Sequence, residues 1–151
     1  MKKVDRTKGI KVWAKALALA AFALAPCVVE AGFTRSQTIG TTSRRKLEGN
    51  TVYLVTSDLE IRAASGFSAL SMDANSTSVL YVATGKTLTL QGGNASGTAG
   101  AGAGIEIPSS SLLIITGGGT IKATGGKGAN GSSGGNGGDG VVIHSLRSKT
   151  P

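Results

Sequence analysis

After residue 50 the chain falls into short runs in which apolar and polar residues alternate, separated by glycine, serine, asparagine and proline. The runs are 51–55 (TVYLV), 59–61 (LEI), 68–72 (SALSM), 78–83 (SVLYVA), 87–90 (TLTL), 105–107 (IEI), 112–116 (LLIIT), 120–124 (TIKAT) and 141–143 (VVI). Val, Ile, Leu and Thr dominate them, and three to six residues is the length of a strand, so each predicts a β-strand. No later window is both long and helical in period. Residues 32–49 are polar without a sustained apolar period and read as a linker.

The runs repeat. Val52-Tyr53-Leu54-Val55 through Ile61 aligns, with one residue inserted, to Leu80-Tyr81-Val82-Ala83 through Leu90. That stretch aligns without a gap to Ile105-Glu106-Ile107 through Ile115, and a further copy opens at Val141-Val142-Ile143. The starts at 52, 80, 105 and 141 are spaced as solenoid repeats are. One such unit cannot bury its own alternating face, but units stacked at the β spacing of about 4.8 Å share a core and pair their strands. The alignment predicts two inward ladders, Leu54–Val82–Ile107–Ile143 and Ile61–Leu90–Ile115. It also sets Tyr53 over Tyr81 on an outward face, with Glu60, Thr89 and Ile114 facing away from the core. The Gly/Ala/Ser/Asn stretches 92–104 and 125–140 are expected as loops of variable length on this scaffold. The last strand, 141–143, is expected to leave an unpaired edge open to self-association.

The N-terminus has a different texture. Lys2, Lys3, Arg6, Lys8, Lys11 and Lys15 precede a charge-free apolar run at 16–25, and Pro26 breaks it. Val29 and Ala31 then place small residues at the −3 and −1 positions of a cleavage site before Gly32. Residues 1–31 therefore read as a secretory signal peptide. An apolar run of ten is too short for a membrane-spanning helix, which needs about 20 residues. The alternative of a lipidated Cys27 is weakened by Pro26, which stands where a lipobox needs a small residue.

Export alters the composition. The leader holds six Lys/Arg and two Asp/Glu, so it accounts for half of the formal net charge of +8. It also takes away Cys27 and Trp13, leaving no cysteine for a disulfide framework. The remaining basic residues are scattered, apart from Arg44-Arg45-Lys46, and aromatic residues are few. A nucleic-acid surface needs a dense basic patch with stacking platforms, and neither is present.

The stretches 102–128 (GAGIEIPSSSLLIITGGGTIKATGGKG) and 51–72 (TVYLVTSDLEIRAASGFSALSM) resemble the right-handed β-helix repeats of large bacterial surface proteins, including autotransporter and adhesin-type passengers. The resemblance spans roughly residues 50–143. It implies an all-β fold, a short right-handed parallel β-helix of about three coils over residues 50–144, with 145–151 as a tail. It also implies an exported, non-enzymatic surface protein that binds a polysaccharide or another cell surface.

Candidate chemistry is sparse. Gly134-Gly135-Asn136-Gly137-Gly138-Asp139-Gly140-Val141-Val142 fits the calcium-binding nonapeptide, with a partial copy before it in which Asn130 takes the Asp place. Calcium wants six to eight oxygen ligands, and one Asp with one Asn is a thin start. An enzyme acting on polysaccharide would need clustered carboxylates. Beyond the leader only Glu48, Asp58, Glu60, Asp73, Glu106 and Asp139 are available, and only Asp58 and Glu60 alternate on one strand side. His144 is the sole histidine and lacks a nucleophile motif, so neither a triad nor a zinc site is expected. Tyr53 and Tyr81 are a possible sugar platform or a stabilising ladder. Asn75, Asn94 and Asn130 open N-x-S/T sequons. No catalytic, cofactor-binding or metal-ligating set is assigned. A β-helical polysaccharide enzyme and a calcium-stabilised repeat module are the alternatives to the adhesin reading.

Overall fold

The computed structural model describes residues 33–96, 99–129 and 136–144. The leader with its Ala31 site, residues 130–133 of the partial nonapeptide with its Asn130, and the 145–151 tail lie outside the described residues. Among the described residues there are eleven strands and no helix. They are β1 (Arg35–Thr38), β2 (Arg45–Leu47), β3 (Thr51–Val55), β4 (Leu59–Arg62), β5 (Leu70–Met72), β6 (Thr77–Val82), β7 (Thr87–Gln91), β8 (Ile105–Ile107), β9 (Leu112–Gly117), β10 (Thr120–Thr124) and β11 (Val141–Ile143). Every run picked out by its alternation after residue 50 is a strand.

The strands form three sheets in which all pairings are parallel: sheet A in the order β1-β3-β6-β9, sheet B in the order β4-β7-β10, and sheet C in the order β2-β5-β8-β11. From β3 onward the chain visits A, B and C in strict rotation. A parallel bridge from Ser43 to Arg62 extends sheet B to the first pass as well. The chain thus makes four circuits, each laid on the one before.

Two strands lie where a linker was expected. β1 and β2 have no apolar alternation, because they form the first circuit and only one side of it meets the core. Arg35, Gln37 and Arg45 stand in register with the inward residues Thr51, Tyr53 and Leu70. Arg45 donates to the Gln37 side-chain Oε1, and its guanidinium lies 5.9 Å from the Tyr53 ring centroid. Polar side chains therefore share the inward positions at this end with the buried Ile39 and Leu47, and they hide the strand period from a hydrophobicity reading.

The core consists of inward residues from all three sheets, including Tyr53, Val55, Leu80 and Val82 from A, Ile61, Leu88 and Leu90 from B, and Leu47, Leu70, Met72, Ile105 and Ile107 from C. Each fully buried aliphatic side chain contributes about 1.5–3 kcal/mol relative to exposure. Two hydroxyls are buried with them. Thr51 and Ser78 stack in register and donate to the carbonyls of Gly49 and Glu48 at 3.0 and 2.8 Å, which pins the corner before sheet A. That corner carries left-handed backbone at Asn50, Asn75 and Ser110, with φ between 54° and 59°. Asparagine tolerates this region and serine does so less well.

The parallel stacking expected from the repeats is present, but its register differs. Ile61 does pair with Leu90, Glu60 with Thr89, and Ile107 with Ile143. Leu54, however, pairs with Tyr81, and Tyr53 pairs with Leu80. Tyr53 is fully buried and Tyr81 lies on the other side of the sheet, so the two rings do not stack. Val82 sits between Val55 and Gly117 rather than between Leu54 and Ile107, and Leu90 continues to Ala123 rather than to Ile115. The cause is the repeat unit. Each full circuit has three strands, and the gapless alignment of 80–90 with 105–115 equates a sheet A strand with a sheet C strand. The one-residue slip at Tyr53 reverses the side it faces, as the two-residue strand period requires. Ile114 does face outward and is exposed, while Val79 beside it is buried.

The glycine stretches differ from the loops expected of them. Their described parts run side by side along the corner between sheets B and C. Gly93 donates to Phe67 O, Gly102 to Gly93 O, Gly126 to Gly102 O and Gly138 to Gly126 O, at 2.8 to 2.9 Å. A Cβ on Gly102 would stand 1.9 Å from Phe67 O, and one on Gly93 would stand 1.7 Å from Ala64 O. The absence of side chains there lets backbones approach closely enough to bond, and the result is a packed seam.

Candidate functional site

Beside this seam, on the outer face of sheet C, lies a shallow depression of about 250 Å³ lined by Gly66, Ser68, Ala101, Gly102, Ala103, Glu106, Val142 and His144. Small residues make its walls and three polar side chains its chemistry. Glu106 projects outward from β8 because Ile105 and Ile107 on either side face the core. Ser68, just before β5, donates to Glu106 Oε2 at 2.8 Å and accepts from Ala103 N at 3.3 Å. His144 follows β11, where its N–H donates to Ile107 O at 2.9 Å and continues the ladder. That places His144 Nε2 at 3.4 Å from Glu106 Oε1.

The carboxylate stands between the hydroxyl and the imidazole. A nucleophilic serine needs the imidazole as its immediate base, with the carboxylate behind it. Here the serine proton is directed to Glu106 instead, so the order of a triad is not formed. What the cluster offers is a carboxylate, a hydroxyl and an imidazole within one depression, a mixed set of donors and acceptors suited to hydroxyl-rich ligands. Phe67 lies in sequence between the lining residues Gly66 and Ser68. It is 50% exposed, with the Arg44 guanidinium 4.3 Å from its ring centroid.

The residues singled out in the sequence go elsewhere. Asp58 Oδ1 accepts from Thr87 N at 2.8 Å, tying one circuit to the next, and Glu60 pairs with Arg62 at 2.6 Å. Glu48 pairs with Arg35 and Asp73 with Lys46. The Asp58–Glu60 pair is thus divided between a backbone amide and a cation. Tyr53 is a core residue whose Oη accepts from Glu48 N at 2.7 Å, so the two-tyrosine platform does not exist. Asn94 accepts from Lys127 N through its side chain at 2.9 Å. The basic run at 44–46 diverges: Arg44 lies on Phe67, Arg45 on Gln37 and Lys46 on Asp73. Of the nonapeptide, Asn136 to Val142 are described. The Asp139 carbonyl accepts from Gly104 N at 3.1 Å. Among the described residues no three His, Cys, Asp or Glu side chains gather as a metal site.

Phe67, Ser68 and Glu106 were not singled out by sequence reasoning, and His144 was given no role. The alignment of 141–143 with 105–107 already carried the information, since it puts His144 at the end of the strand beside Glu106. Neither Phe67 nor Ser68 had such a marker. No family model, curated protein or solved structure matches this chain.

Proposed function

We propose that the chain is an exported, non-enzymatic surface protein, built as a right-handed parallel β-helix, that attaches to a polysaccharide or another cell surface through the outer face of sheet C. Three parallel sheets visited in rotation are the arrangement a β-helix requires, with four circuits in place of the three anticipated. The leader features direct the chain to export, and cleavage after Ala31 yields a mature protein beginning at Gly32.

The observation that carries the binding role is the Ser68–Glu106–His144 depression with the exposed Phe67 ring beside it. Sugars are held by hydrogen bonds to their hydroxyls and by stacking of their apolar ring faces on aromatic side chains. The ion-paired carboxylates Glu48, Glu60 and Asp73 support binding over acid–base chemistry.

The test is binding of the full chain, processed by an export-competent bacterial host, to an array of immobilised polysaccharides. Phe67→Ala and Glu106→Gln should each weaken capture about tenfold or more, which corresponds to about 1.4 kcal/mol. Equal capture by wild type and both variants would remove the site from the reading. Release of new reducing ends from any polysaccharide would replace it with the enzyme alternative.

A further inference from the structure

Beside the Ser68–Glu106–His144 depression, Arg44 carries a charge that the fold has not matched. Arg45 N donates to Ala69 O at 2.9 Å, which brings the exposed Arg44 alongside the segment that presents Phe67 and Ser68. There its guanidinium lies 4.3 Å from the Phe67 ring centroid, and Phe67 keeps 50% of its surface exposed with the cation in place. The carboxylates nearby are already engaged. Glu48 pairs with Arg35 and Asp73 with Lys46, while Glu106 takes the Ser68 hydroxyl on one oxygen and faces His144 with the other. Among the described residues no carboxylate pairs with Arg44. Asp139 stands three passes away in the same column, about 14 Å at the β spacing, and does not line the depression. Stacking engages the flat face of a guanidinium and leaves the N–H groups on its rim open, in the fork that matches a carboxylate.

Building on the polysaccharide reading above, we propose that the ligand is an acidic polysaccharide made of uronic acids, and that Arg44 selects it. The guanidinium rim donates to the sugar carboxylate, Phe67 carries the apolar ring face, and Ser68, Glu106 and His144 meet the hydroxyls. Charge complementarity chooses this class. An amino sugar would bring its ammonium beside Arg44 and compete for a Glu106 carboxylate whose two oxygens already have partners. A neutral sugar would gain only the contacts that both sugars share and leave the guanidinium unanswered.

Affinity of the full chain, as processed by an exporting host, for immobilised polygalacturonate and alginate tests this. Each is measured beside its uncharged methyl ester, with dextran sulfate as a polyanion of other chemistry. The uronates should bind about tenfold more tightly than their esters, or better. Arg44→Gln should erase that difference while affinity for the esters changes less than about twofold and the far-UV circular dichroism stays that of the wild type. Lys122→Gln removes one positive charge from the outer face of sheet B and should leave the preference intact. Equal binding of charged and esterified polymer overturns the proposal, and so does a preference that survives Arg44→Gln. A preference lost equally in Lys122→Gln, or tighter binding of dextran sulfate than of either uronate, overturns it too, because net charge would then be responsible. Charged and esterified forms captured equally, and released by Phe67→Ala and Glu106→Gln, would sink the uronate assignment and keep the polysaccharide reading. Capture of no polymer at all removes both.

Discussion

Replacing Gly102 by alanine adds one methyl group at a place where three passes of the chain lie side by side. The new Cβ would stand 1.9 Å from Phe67 O and 2.2 Å from Phe67 C, where ordinary contact begins at 3.4 Å. Both neighbours are backbone, so no side-chain rotation relieves the clash, and the seam must open. Two bonds run through Gly102: its own N–H to Gly93 O at 2.8 Å, and Gly126 N to its carbonyl at 2.9 Å. Leaving a buried amide or carbonyl unpaired costs about 1–3 kcal/mol, and overpacking adds about 1–3 kcal/mol. A destabilisation of about 3–5 kcal/mol is expected, a large share of the about 5–15 kcal/mol typical of a folded domain. Gly100→Ala, two residues away, is the matched control, because a Cβ there meets nothing within 4 Å. It should change stability by less than about 0.5 kcal/mol or raise it slightly, by restricting the unfolded chain. Urea unfolding followed by far-UV circular dichroism measures both, and the midpoints should separate at similar slope. If Gly102→Ala and Gly100→Ala unfold together, these segments are loose loops and the seam is refuted.

The register makes a second claim through the tyrosines. Tyr53→Phe deprives Glu48 N of its acceptor in a buried setting and should cost about 1–2 kcal/mol, whereas Tyr81→Phe should be nearly neutral. A larger loss for Tyr81→Phe in the same urea assay would restore the stacked pair. At Ser110, where φ is 59°, substitution by glycine should stabilise by about 0.5–1 kcal/mol, because glycine occupies the left-handed region without steric cost. A lower melting temperature for Ser110→Gly would show that the corner is held by something other than backbone conformation.

Much of this architecture was legible in the alternation alone. The runs from residue 51 onward are strands because burial of every second side chain writes a two-residue period into the sequence. The pairings Ile61–Leu90 and Ile107–Ile143 came from the same signal. The sheet to which a run belongs did not, because Ile-Glu-Ile of sheet C and Leu-Tyr-Val of sheet A carry the same texture. Only the number of strands per circuit separates them. β1 and β2 stayed hidden because a terminal circuit is half exposed, and its inward Arg45 and Gln37 read as surface. The candidate site was half legible. Glu106 and His144 follow from strand alignment, but Ser68 reaches Glu106 across a sequence separation of 38, and nothing local marks it.

The first circuit also gives the molecule a direction of assembly. Arg35, Gln37 and Arg45 precede the other described strands in the chain, and their circuit is completed as the next one arrives, since β1 pairs with β3 and Arg45 N donates to Ala69 O. Each following circuit then finds a complete edge to settle on, with its partners already in register, while the rest of the chain is still arriving. Contacts reach only to the adjacent circuit, so the chain can fold at the pace at which it is delivered, without waiting for its C-terminus to close the structure.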